Sequence, residues 1–205
     1  MSDLLVFAAL RLEAAALPNV PGWMVLRTGM GPARARIAAA RGLAVESPAV
    51  AIAGVCGAVS PELRAGDVVC ATELRREDGD PIAVPAAEAL ATAVRRRGLR
   101  AHTGPIFCVA KIMSPDERRA LEGDGVLAVD MESARLAEAA DDRPLAVLRV
   151  VLDTAGRSVF DPRTVAAGVH ALRALHRAAY ALVEWTDDSV EVASAERTRA
   201  YLRTP

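Results

Sequence analysis

Five short segments of this chain set ionisable or glycine-rich residues at the ends of apolar runs, where chemistry could be done. They are residues 8–13 (AALRLE), 28–32 (TGMGP), 54–59 (GVCGAV), 129–133 (VDMES) and 148–153 (LRVVLD). Open α/β sheets bind ligands beyond the ends of their strands, so all five are placed for it. A carboxyl at the end of an apolar strand, such as Asp153, is partly desolvated. Burial disfavours its charged form and raises its pKa, which suits a group that must give up a proton. Taken singly each segment says little. A Gly-x-Gly is most often only a turn, and a carboxylate after a strand is most often a helix cap. The ordered set is far more specific.

The elements that must position these segments follow from the apolar pattern. Strands are expected at 4–10, 23–28, 49–55, 67–71, 103–109, 126–129 and 145–152. Helical patterns fall at 11–17, 33–45, 86–98, 114–122 and 132–140, with a long amphipathic helix at 163–185. Gly98 is a stop signal, and Ser114-Pro115 followed by acids is a start signal. All-apolar strands alternating with helices predict an α/β domain whose sheet is covered on both faces. Residues 1–186 read as one domain and 187–205 as a charged C-terminal tail, either solvated or an added helix.

Composition narrows the function. In 205 residues, Lys+Arg number 25 and Asp+Glu 26, a formal net charge of -1. A nucleic-acid-coating protein would need a basic excess to displace counterions, so that class is set aside. Hydrophobic residues make up 52% but aromatics only 3%, so the core is expected from Ala, Val and Leu. Cys56, Cys70 and Cys108 are widely spaced and odd in number, and with His102, His170 and His176 they form no metal-ligand motif. Reduced thiols, no metal and no cofactor are the expectation. Asp3 stands where a signal peptide would be basic, and the apolar run 50–59 is far below the ~20 residues of a membrane span. A cytoplasmic protein without stable membrane insertion is expected.

The ordered set resembles the purine nucleoside phosphorylase and nucleosidase superfamily, which includes methylthioadenosine/S-adenosylhomocysteine nucleosidases. TGMGPARA (28–35) is similar to the family's Gly-x-Gly loop opening a helix. GVCGAVSPELRAGDVV (54–69) is similar to its Gly-x-x-Gly segment and the following Gly-Asp-Val-Val strand. VDMES resembles the ribose-binding motif, and RVVLDTA (149–155) the strand that ends in the catalytic aspartate. Within the superfamily the wording is closest to hopanoid-associated phosphorylases. The resemblance implies a three-layer α/β/α sandwich with a central mixed sheet, a homodimer, and cleavage of the N-ribosidic bond of an adenosine derivative, adenosylhopane being the subfamily's candidate.

Carried over position by position, the resemblance makes Asp153 the acid for the departing purine and Glu13 the group that orients the attacking water. Glu132 would grip the ribose hydroxyls, with Met131 beneath the sugar and Asp130 beside it. Gly54, Val55 and Cys56 would border the substrate. Gly29 and Gly31 would offer backbone N–H groups to water or phosphate. The family's purine-stacking aromatic aligns near Ile112, so stacking would come from Ile112, Met113 or Phe107. Three departures stand out. Leu152 replaces the serine that orients the aspartate, a second acid is missing around Gly156 and Arg157, and the spacer 72–85 is short, with 78–81 read as a tight turn.

Phosphorylases carry an arginine and a serine where this chain has Ile52 and Val55. A phosphate dianion needs several donors to leave water, so hydrolysis is favoured. Phosphorolysis supported by Arg11, and a non-catalytic nucleoside-binding module, are the alternatives.

Overall fold

The computed structural model describes residues 3–153 and 164–203. The elements run β1 (Leu4–Ala8), α1 (Arg11–Ala16), β2 (Trp23–Arg27), α2 (Pro32–Leu43), β3 (Val50–Ala58), β4 (Val68–Arg76), β5 (Gly79–Ala83), α3 (Ala87–Arg96) and β6 (Ala101–Cys108). Then come α4 (Pro115–Ala120), a 3-10 turn (Glu122–Asp124), β7 (Ala128–Asp130), α5 (Ser133–Ala137), β8 (Leu145–Asp153), α6 (Thr164–Ala179) and α7 (Ala181–Arg203). The fold is a mixed sheet between helices, as expected.

β8 lies between β3, its parallel partner, and β4, its antiparallel one. β4 pairs with β6, β6 with β7, and β7 returns to β3. These five strands therefore close into a ring, with β1 and β2 extending from β3 and β5 from β4. Both faces are apolar, as buried strands must be. One face packs Val6, Ala53, Leu148 and Val150 against α3, α6 and α7, including Leu90, Leu175 and Trp185. The other packs Phe7, Ile52, Val147 and Val151 against Ala35 and Ala39 of α2 and Leu136 of α5. Small alanines let the helices sit close to the sheet.

Three elements differ from the sequence expectation. The spacer 72–85 is a hairpin: β4 runs on to Arg76, turns at Glu77 and Asp78, and returns as β5, with Pro81 on an edge strand where its missing N–H is tolerated. The long C-terminal helix divides at Tyr180, and its second half continues to Arg203 through the segment read as a tail. Helix α5 stops at Ala137, shorter than the apolar pattern suggested.

Candidate active site

Register places the chemistry. Gly54 of β3 stands beside Arg149 of β8, and Gly57 beside Asp153, with a shift between Cys56 and Gly57. Since Cys56 pairs with Val151, Leu152 is the extra residue of a bulge, a device that re-aims side chains near functional sites. Leu152 and Asp153 consequently both line a cavity of about 210 Å³ at the strand ends. Around it stand Glu13, Val55, Cys56, Ile112, Met113, Asp130, Met131 and Glu132, so that with Asp153 nine of the sequence-selected positions meet in one place.

Each carboxylate is held by a specific partner. Glu13, only 2% exposed, accepts the Leu10 N–H at 2.7 Å through Oε2, capping its own helix. Its Oε1 accepts the Val55 N–H at 2.8 Å, so the residue both caps α1 and reaches the site. Glu132 precedes α5, and its Oε1 accepts the Gly31 N–H at 2.7 Å. Burial raises the Glu132 pKa, with Arg149 and the Gly31 N–H opposing and Asp130 and Glu13 reinforcing. Asp130 holds Arg149 at 2.6 Å, accepts the Cys108 thiol at 2.9 Å, and bonds the Ser133 hydroxyl.

Two arginines complete the arrangement, and sequence reasoning gave neither a role. Arg149, 1% exposed, donates to Ser133 Oγ and lies 3.9 Å from Glu132 Oε2. Burial alone would lower its pKa, but Asp130, Glu132 and Glu13 outweigh that and keep it charged. A lone arginine in LAVLRVVL was the available signal. Arg118, 2% exposed, bonds Asp153 Oδ2 through Nη2 at 2.7 Å and the Ala58 carbonyl through Nη1 at 3.3 Å. It sits in α4, whose start is fixed as expected: Ser114 Oγ accepts the Glu117 N–H, and Glu117 accepts the Ser114 N–H. Nothing in SPDERRA distinguishes Arg118 from exposed Arg119; only the fold does.

Burial raises the Asp153 pKa, and Arg118 pulls against that. Gly54 and Gly57 are required by this crowding. A Cβ at Gly54 would lie 2.5 Å from Arg149 Nη1, and one at Gly57 2.9 Å from Arg118 Nη1.

Four selected residues do not border the cavity. Gly29 donates its N–H to the Ala9 carbonyl and Gly31 to Glu132, so both serve the scaffold rather than offering donors to a nucleophile. Gly54 backs Glu13 and Arg149 from behind. Phe107 packs with Val59, Val126 and Val129 in a small apolar cluster. The cavity wall carries no aromatic ring among the described residues; Val109, Ile112 and Met113 provide its apolar side. Arg11 is exposed and outside the wall. The missing acid near Gly156 and Arg157 falls outside the described residues.

Known proteins share this framework. The family model of the phosphorylase superfamily matches residues 21–201. Among curated proteins none matches the chain. A 5′-methylthioadenosine/S-adenosylhomocysteine nucleosidase of Helicobacter pylori, with butyl-thio-DADMe-Immucillin-A, superposes with TM-score 0.74 at 17% identity, covering 92% of this chain and 99% of that one. The futalosine hydrolase of Helicobacter pylori strain 26695 gives 0.73 at 18%, covering 91% and 98%. An S-adenosylhomocysteine nucleosidase of Streptococcus pyogenes, with 5-methylthiotubericidin, gives 0.70 at 21%, covering 85% and 94%. The family match extends over most of the sequence, and the chain belongs to the phosphorylase superfamily.

Proposed function

We propose that this protein hydrolyses the N-ribosidic bond of a purine nucleoside, with adenosine derivatives bearing an apolar 5′ group as its substrates. One observation carries the reading: Glu13, Glu132 and Asp153 converge on a single cavity whose buried cations already face carboxylates. Arg118, the arginine of the cavity wall among the described residues, is bonded to Asp153, and Arg149 behind the wall is surrounded by Asp130, Glu132 and Glu13, so a phosphate dianion would meet cations that are already paired.

In this mechanism the purine rests against Ile112, Met113 and Val109. As the C1′–N bond breaks, its electron pair passes into the base, and Asp153 supplies the proton that makes the base a competent leaving group. Positive charge grows on the ribosyl ring, favoured by the carboxylate of Glu132, which also accepts from the ribose hydroxyls. Water held by Glu13 attacks C1′ and gives up its proton to that carboxylate. Free ribose product and base result.

An apolar 5′ group is supported by the mouth of the cavity, where Leu10 and Met30 are 39% and 48% exposed while lining it. Each such side chain, already half-buried, gains ~1 kcal/mol when covered by an apolar ligand, or by a second copy in a homodimer. Adenosylhopane, or a long-chain 5′-alkyl adenosine, is therefore expected to be cleaved better than methylthioadenosine.

The test is adenine release from these nucleosides in phosphate-free buffer, with the sugar product identified. Free ribose product supports hydrolysis. A strict phosphate requirement with sugar 1-phosphate formed would overturn it in favour of phosphorolysis. A preference for methylthioadenosine in detergent would remove the lipid substrate and leave the reaction class intact.

A further inference from the structure

Asp153 lacks the neighbour that should orient it, because Leu152 stands where the resemblance places a serine. The structure supplies a different one. Arg118 reaches across from α4 and bonds Asp153 Oδ2 at 2.7 Å, with both side chains almost completely buried. The guanidinium is itself anchored on the Ala58 carbonyl at 3.3 Å, at the end of β3. Glycine at residue 57 leaves room for the pair as it stands: a Cβ there would lie 2.9 Å from Arg118 Nη1 and 3.1 Å from Asp153 Oδ1, so one of the two would have to shift.

We propose that Arg118 is a positioning residue for acid catalysis, fixing which oxygen of Asp153 carries the transferable proton and facing the carboxylate left when that proton departs. This rests on the nucleosidase reading above. A guanidinium has only donors, so a proton on Oδ2 would set O–H against N–H. The proton of the neutral acid belongs on Oδ1. When the C1′–N bond breaks, its electron pair goes to the base and the Oδ1 proton follows to a ring nitrogen. The resulting carboxylate is already paired with Arg118, so charge does not develop on an isolated buried group. The other titratable groups of the cavity wall, among the described residues, are Cys56 from β3, Glu13 from α1, Asp130 ending β7 and Glu132 preceding α5. Arg149 from β8 serves the last three and is not bonded to Asp153.

The experiment compares wild type with Arg118→Met, Arg118→Gln and Arg118→Lys, each checked for folding by circular dichroism. With a nucleoside that wild type cleaves, the neutral variants should lose about tenfold or more in kcat with little change in KM. Their activity should also persist to higher pH, because without the cation the acid holds its proton longer. Lys should restore most of the rate and the wild-type alkaline limb. In parallel, the carboxyl resonance of 13C-labelled Asp153, assigned through Asp153→Asn, should titrate at higher pH in the neutral variants. Gln serves if Met does not fold, being smaller and still able to donate. An unmoved alkaline limb and unmoved resonance, whatever the rate, would overturn the proposal. If wild type cleaves no nucleoside, the functional reading falls, and the resonance alone still decides whether Arg118 governs the Asp153 proton.

Discussion

The backbone N–H of Gly31 donates to Glu132 Oε1 at 2.7 Å, tying the loop before α2 to the residue that precedes α5. Gly31 adopts φ +96, which L side chains rarely reach, and nothing lies within 4 Å of a Cβ placed there. Gly31→Ala should therefore act through backbone strain alone. A loss of ~1–3 kcal/mol is expected in urea unfolding, accompanied by a raised KM as Glu132 loses its donor. A variant as stable as wild type would show that the loop relaxes without harm.

Asp153→Asn removes the proton donor while keeping shape. Turnover should fall by at least ~10²-fold with the fold intact, measured as base release under saturating nucleoside. A change of only a few-fold would take Asp153 out of the acid role.

The same carboxyl carries a pH signature. Burial raises the pKa of Asp153, against Arg118, and raises that of Glu132, so the folded chain binds these protons more tightly than the unfolded one. Their contribution to stability is full below the ordinary carboxylate pKa and is lost as pH rises through the raised values. The melting temperature should fall over that window, and Asp153→Asn should flatten part of the fall. An unchanged slope in the variant would show that Asp153 does not supply it.

Arg149→Met would leave Asp130 and Glu132 buried without their cation. Breaking a buried pair from one side costs ~3–5 kcal/mol, so a large drop in the urea midpoint is expected. A loss below ~1 kcal/mol would mean that water replaces the guanidinium.

Gly54→Ala places a Cβ 2.5 Å from Arg149 Nη1 and 2.6 Å from Glu13 Oε1. Overpacking there should cost ~1–3 kcal/mol and reduce activity, since both groups must shift. Gly123→Ala, with nothing within 4 Å, is the control and should be nearly silent in both assays.

The alternation of apolar strands and helices, the Ser114 cap and the carboxylates at strand ends are legible in the residues alone, because each is a local pattern of polarity or capping chemistry. The sequence pointed to Glu13, Glu132 and Asp153 through short ordered motifs at those ends. It could not tell that residues 72–85 pair as a hairpin, since the charges of that segment also suit a turn. It could not tell that Gly29 and Gly31 direct their N–H groups into the scaffold, because a backbone donor finds its acceptor only once the chain is packed. Arg118 and Arg149 show the division most plainly. One of two arginines in a charged helix, and one inside an apolar strand, become buried cations only when the closing of β3 against β8 brings Gly57 to Asp153 and Gly54 to Arg149. Those ion pairs join residues distant in sequence, and burial, which makes them strong, is a property of the folded chain alone.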